Sequence, residues 1–202
     1  MTSYALRERQ LLADLLLEVG PDAATLCGGW RTLDLAVHLV IRERRPDAGL
    51  GVWVPAFAGW TDKVAASLRE RRSYAEIVDL VRQRPWWIAP VDETINLVEF
   101  FVHHEDVRRA AKGFEARDLT EGFEHAVWGR LRALGLLLGN ESVRLVAPGV
   151  GERTAGTSPT VTVTGPPSEL ALFCFGRQQV AQVTYDGPEE SVQAIRSAKL
   201  GL

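Results

Sequence analysis

Two of the four histidines in this chain stand where helical spacing calls for core residues, and a glutamate shares the face of one of them. His38 lies between Leu35, Leu39 and Val40 on the helical wheel of the stretch 33–45. Glu99 and His103 are four residues apart, so they project from one side of a helix about one turn apart. Their neighbours on that side, Ile95, Val98 and Val102, are apolar. A carboxylate buried in such a place is costly unless it is paired or bound to a metal. Two ligands at i and i+4 on one helix, with a third from a neighbouring helix, form a common metal site inside a bundle. His38, Glu99 and His103 make an open His2Glu set for one divalent ion, with water in the fourth position. Such an ion acts as a Lewis acid or activates a bound nucleophile, either water or a thiol.

Plainer readings compete. Glu99 and His103 also suit a simple ion pair on an exposed face, and His38 suits a packed core histidine. Glu121 and His125 share the i, i+4 spacing, but their polar neighbours at a helix start indicate a solvated face. His104 points about 140° away from Glu99 on the wheel. Asp106, one turn beyond His103, is placed to accept from the other ring nitrogen, or else to pair with Arg108 or Arg109. Cys174, between Phe173 and Phe175, reads as a small buried hydrophobe. Cys27 precedes Gly28-Gly29 in a loop; it reads as a bystander, with approach to the metal as the alternative. Trp86-Trp87, between Pro85 and Pro90, reads as core or inter-helix packing, or as a pocket wall.

The elements that must position these residues are mostly helices. Helical periodicity covers 3–18, 33–45, 60–71, 73–84, 92–111 and 119–138. Thr32 is the expected cap of the second, Ser73 and Glu76 match a capping box, and 49–57 reads as a loop. After residue 140 the pattern changes to strands at 142–146, 160–164 and 180–185, with helices at 169–175 and 188–199. The expected fold is therefore mainly α with an α+β tail: a metal-binding helical bundle over 1–141 and a small α+β domain over 142–202.

Composition narrows the class further. The 202 residues carry 23 basic and 26 acidic side chains, a net charge of −3, which gives no basic excess for nucleic acid. Apolar residues make up 46% and charged residues 24%, as in soluble globular proteins. No apolar run reaches the roughly 20 residues that span a bilayer. Charges appear early at the N-terminus, so a cytoplasmic location is expected. Two cysteines make no disulfide framework.

The same residues carry a family resemblance. Gly29-Trp30, Asp34-Leu35 and His38-Leu39 resemble the first motif of the DinB-like, mycothiol-dependent maleylpyruvate isomerase superfamily. Glu99, His103 and Asp106 resemble its second motif, and Val163, Gly165, Glu169-Leu170 and Gly176-Arg177 resemble its C-terminal signature. The resemblance implies a DinB-like four-helix bundle followed by a small α+β domain, with the metal held by His38, Glu99 and His103. The His2Glu ligand set points to zinc, with nickel or cobalt as alternatives, and the resemblance implies mycothiol as cosubstrate. It also implies an actinobacterial source, in keeping with 20 arginines against three lysines. The activity implied is a thiol-dependent transferase or isomerase acting on an electrophilic small molecule, in a monomer or homodimer. Arg177 is the candidate for holding an anionic substrate or the thiol, its plainer reading being a surface arginine after a helix. The alternatives are a non-catalytic metal- or ligand-binding module and a metal-dependent hydrolase. A hydrolase would need His104 or Glu105 to turn inward.

Overall fold

Three helices of the N-terminal half begin at a side chain that satisfies a free backbone N–H. Ser3 Oγ accepts the Leu6 N–H and starts α1 (Tyr4–Val19), which stops at Gly20. Asp34 accepts the Arg31 N–H at 2.9 Å and starts α2 (Thr32–Arg44). Thr32, the expected cap, instead lies inside the helix and donates its hydroxyl to the Gly20 carbonyl. After α3 (Ala58–Arg71), Ser73 and Glu76 form the expected capping box of α4 (Tyr74–Arg82). The computed structural model describes residues 3–45, 47, 58–133, 138–139 and 141–201. The loop read at 49–57 lies outside these, as does the 134–137 part of the expected helix 119–138.

The single helix expected over 92–111 is two. A short turn, α5 (Asp92–Ile95), ends at Asn96, and α6 (Leu97–Arg108) follows. Asn96 is fully buried, and its amide donates to Asp92 at 2.7 Å and Glu43 at 2.8 Å. The break thus serves a buried polar network that periodicity does not reveal.

Contacts divide the chain into two units, 1–114 and 115–202. In the first, α1 packs along α6 and α4, and α2 packs against α4 and α3. Leu12, Leu16, Leu35, Leu39, Ile77 and Phe100 fill the space between them.

The second unit begins earlier than the boundary expected at 141/142, because α7 (Glu121–Arg130) packs on α8 (Pro167–Cys174). Glu124 of α7 accepts both the Ser168 N–H and its hydroxyl at 2.8 Å, so it caps α8 from outside. The helix expected from 169 begins earlier, at Pro167, as suits a first-turn proline. A four-stranded sheet runs β2 (Gly151–Ala155), β1 (Val143–Ala147), β3 (Val161–Thr164), β4 (Thr184–Asp186), with β1 and β3 parallel and the outer pairs antiparallel. The strand expected over 180–185 is only three residues long. β2 leaves no strand pattern in the sequence, because it is an edge strand with charged side chains and little alternation of apolar residues. The last helix, α9 (Glu189–Ser197), packs against β3. No helix among the described residues is long and apolar enough to cross a membrane.

Candidate metal centre

His38 on α2 and Glu99 and His103 on α6 converge. Glu99 Oε1 lies 3.3 Å from His103 Nε2 and 3.7 Å from His38 Nε2. One ligand atom from each of the three lies within 4.8 Å of the others. Two ligands of a tetrahedral ion, each about 2.1 Å from it, stand about 3.4 Å apart. The two spacings from Glu99 to the histidines are therefore close to those that an ion requires, and the donor types fit it. The imidazole rings of His38 and His103 meet edge to face, 5.6 Å between centroids, and Trp30 lies against His38 at 5.2 Å.

The trio sits at the rim of the core rather than inside it. The side chains are 13%, 21% and 12% exposed for His38, Glu99 and His103, enough to admit a further ligand. Ile95, expected on the apolar face beside Glu99, is exposed. A cavity of about 390 Å³, lined in part by Trp30, Val37, His38, Ile41 and Asp62, lies beside His38.

The surrounding contacts set the charges. Asp106, fully buried, lies 3.0 Å from His103 Nδ1 and leaves Nε2 facing Glu99. This is the carboxylate–imidazole arrangement that fixes the tautomer and orientation of a metal-binding histidine. Arg108 and Arg109, the other partners considered for Asp106, both pair with Glu105. Burial works to lower the His103 pKa. Hydrogen bonds with Asp106, Cys27 and Glu99 outweigh it and hold the ring well above the usual histidine value. For Glu99, burial works to raise the carboxyl. Hydrogen bonds with His103 and His38, and the charges of His103 and Arg42, outweigh it and hold the group well below the usual carboxylate range. Asp106→Asn is expected to weaken binding of a divalent ion by about 10- to 100-fold without unfolding the protein. Titration calorimetry beside a thermal melt checks this.

Two further residues border the site, Arg42, which the sequence did not single out, and Cys27, whose approach to the metal was the alternative to a bystander role. Arg42 Nε lies 3.2 Å from Glu99 Oε1, and the Arg42 guanidinium also donates to Asn96 Oδ1 at 2.6 Å. Its place four residues after His38 is the signal that finds it. Cys27, read as a bystander, donates to Asp106 Oδ2 at 3.0 Å and lies 3.7 Å from His103 Nδ1. No local pattern reveals that contact, because it joins residues 79 apart in the chain.

The remaining candidates have surroundings of their own. His104 is buried against Glu8 at 3.0 Å. Arg177 belongs to the second unit, where its guanidinium donates to the Phe175 carbonyl. Glu121 and His125 are exposed, as expected of a solvated face. Trp86 and Trp87 are also exposed rather than packed, at 82% and 49%. Fold and site together define a mainly helical protein with a small four-stranded sheet and a candidate His2Glu metal centre. No family model matches the chain, and no curated protein or solved structure matches it either.

Proposed function

We propose that His38, Glu99 and His103 bind one divalent ion, zinc first and nickel or cobalt as alternatives, and that the protein is a thiol-dependent transferase or isomerase. The observation that carries the metal reading is the convergence of two imidazoles on one carboxylate, with Asp106 behind the second imidazole. When bound, the ion would supply Lewis acidity and make a thiol at its open position reactive as thiolate. Glu99 and the two histidines would orient that position. The cavity beside His38 would receive the electrophilic small molecule, with Trp30, Val37 and Ile41 as its apolar lining. The choice of mycothiol as the thiol rests on the resemblance to the DinB-like, mycothiol-dependent superfamily, which also supports a DinB-like bundle for the first unit. Arg177 is carried as an anion-binding candidate on that same resemblance.

A second reading has an observation of its own. Arg42 and the two histidines already surround one oxygen of Glu99, as in a structural polar cluster, which favours a non-catalytic binding module. The hydrolase reading is weaker, because His104 pairs with Glu8 and Glu105 pairs with Arg108 and Arg109. Metal analysis of untagged protein, then conjugation of a generic electrophile with mycothiol or another thiol, separates the three. The transferase reading expects about one ion per chain and turnover that needs both thiol and metal. Metal without turnover over a broad panel favours the module, and turnover without thiol favours the hydrolase.

Metal binding should also depend on pH in a defined direction. An ion at His103 Nε2 displaces a proton that the ring holds above the usual histidine range. Apparent affinity is therefore expected to rise by up to about tenfold per pH unit while the ring is protonated, and to level off above its raised pKa. In Asp106→Asn the levelling should move to lower pH, because the largest contact that raises the pKa is gone. Competition with a chelator across a pH series checks both.

A further inference from the structure

His103 has a second nitrogen, and the groups around it form a donor set of different chemistry. We infer that Cys27 Sγ, Asp106 and His103 Nδ1 form a sulfur-containing position for a thiophilic divalent ion, exclusive of the His38–Glu99–His103 position. The exclusion rests on the proposed metal reading of that trio; the sulfur position itself does not.

The geometry is already close to a coordination shell. Cys27 Sγ lies 3.7 Å from His103 Nδ1 and 3.0 Å from Asp106 Oδ2, and Asp106 Oδ2 lies 3.0 Å from Nδ1. A tetrahedral ion with sulfur at about 2.3 Å and nitrogen or oxygen at about 2.1 Å needs edges of about 3.4–3.6 Å. Small movements open the two shorter edges. The loop bearing Cys27 is held to α6 by the Leu26 N–H, which donates to the Asp106 carbonyl at 3.1 Å. The Cys27 N–H donates to Thr25 Oγ1 at 3.1 Å, and the Cys27 carbonyl accepts from the Trp30 N–H at 2.9 Å. Gly28 and Gly29, at φ 50° and 91°, make the left-handed turn that lets the chain close behind the thiol. The thiol is thus fixed beside two other donors and not left on a free loop.

The choice of ion follows from the donors. A thiolate favours soft or borderline ions, whereas the trio offers only nitrogen and oxygen. The exclusion follows from the imidazole. An ion at Nε2 leaves the ring proton on Nδ1, where Asp106 accepts it. An ion at Nδ1 leaves it on Nε2, which faces Glu99 at 3.3 Å. A neutral ring offers only one lone pair, so it can serve only one ion at a time. Binding at the sulfur position displaces the Cys27 thiol proton and the Nδ1 proton to solvent. The ring keeps its Nε2 proton and donates it to Glu99.

Titration of the intact, reduced protein with Cd²⁺ tests this. One ion per chain and a thiolate-to-cadmium charge-transfer band in the ultraviolet are expected. The band should persist in Glu99→Gln and vanish in Cys27→Ser. Cd²⁺ should also abolish alkylation of Cys27 in the unmutated protein, a readout that needs no variant to fold. Cys174 does not confuse it, since that residue is fully buried and its thiol is pushed up to about 12. Absence of the band from both the unmutated protein and Glu99→Gln, or its survival in Cys27→Ser, overturns the sulfur position. Two cadmium ions per chain overturn the exclusion. A Cys27→Ser protein that binds no ion at all sinks the trio instead, while the band in the unmutated protein still upholds the sulfur position.

Discussion

His38→Ala and Glu99→Gln are each expected to lower the affinity for a divalent ion by more than about 100-fold, beyond what loss of an outer-shell partner costs. The two variants remove different things. His38→Ala deletes the nitrogen donor that α2 supplies, and leaves an ion only Glu99 and His103 on α6 as protein ligands. Glu99→Gln keeps the shape of the side chain but removes the charge that holds His38, His103 and Arg42 around one oxygen. The trio lies at the rim of the core, so neither change should abolish folding. Calorimetric titration with Zn²⁺ and Ni²⁺, with circular dichroism as the folding control, makes the measurement. Affinities equal to those of the unmutated protein would overturn the site.

The trio was legible because burial and ligand chemistry make conflicting demands that leave a mark in sequence. Three polar side chains interrupt apolar stripes, and two of them share the i, i+4 register. Asp106 was legible for the same reason, as the residue one turn beyond His103. Arg42 stood in register with His38 but resembled an ordinary solvated arginine near a helix end. Cys27 carried no periodic signal, because its contact with α6 is made by a loop closed at Gly28-Gly29. The helices emerged from apolar spacing and caps, whereas the break at Asn96 did not, since no glycine or proline marks it. The earlier start of the second unit was hidden too. The helix 121–130 looks alike in sequence whichever partner it packs on, and the contact between Glu124 and Ser168 spans 44 residues.

Arg9→Met is expected to destabilise the first unit by about 3–5 kcal/mol, the cost of leaving a buried charge without its partner. Not every leucine of α1 faces the core, since Leu11 is exposed. The buried face is Ala5, Glu8, Arg9, Leu12, Ala13 and Leu16, so two charged residues stand in phase with the core. Arg9 is fully buried and donates to both Glu43 oxygens at 2.6 Å, to the Val81 carbonyl at 2.9 Å and to Asp92 at 3.1 Å. Its guanidinium also lies 4.1 Å from the centre of the Phe100 ring. Methionine fills much of the same space but leaves Glu43 and Asp92 facing each other without the guanidinium that bridges them, with Asn96 donating to both and Arg84 paired with Asp92. For a chain of this length the loss corresponds to a melting temperature lower by about 6–20 °C. Adding Glu43→Leu should recover much of the stability, because removing both charges is far less costly than removing one. A double-mutant cycle in urea isolates the pair. The same network reaches the proposed metal centre through Asn96 and Arg42, whose guanidinium touches Glu99. Arg9→Met is therefore expected to weaken metal binding as well, and the Glu43→Leu partner should not restore it, since Asn96 then loses one of its two carboxylate anchors. Recovery of both properties together would show that the network supports the fold without orienting the site.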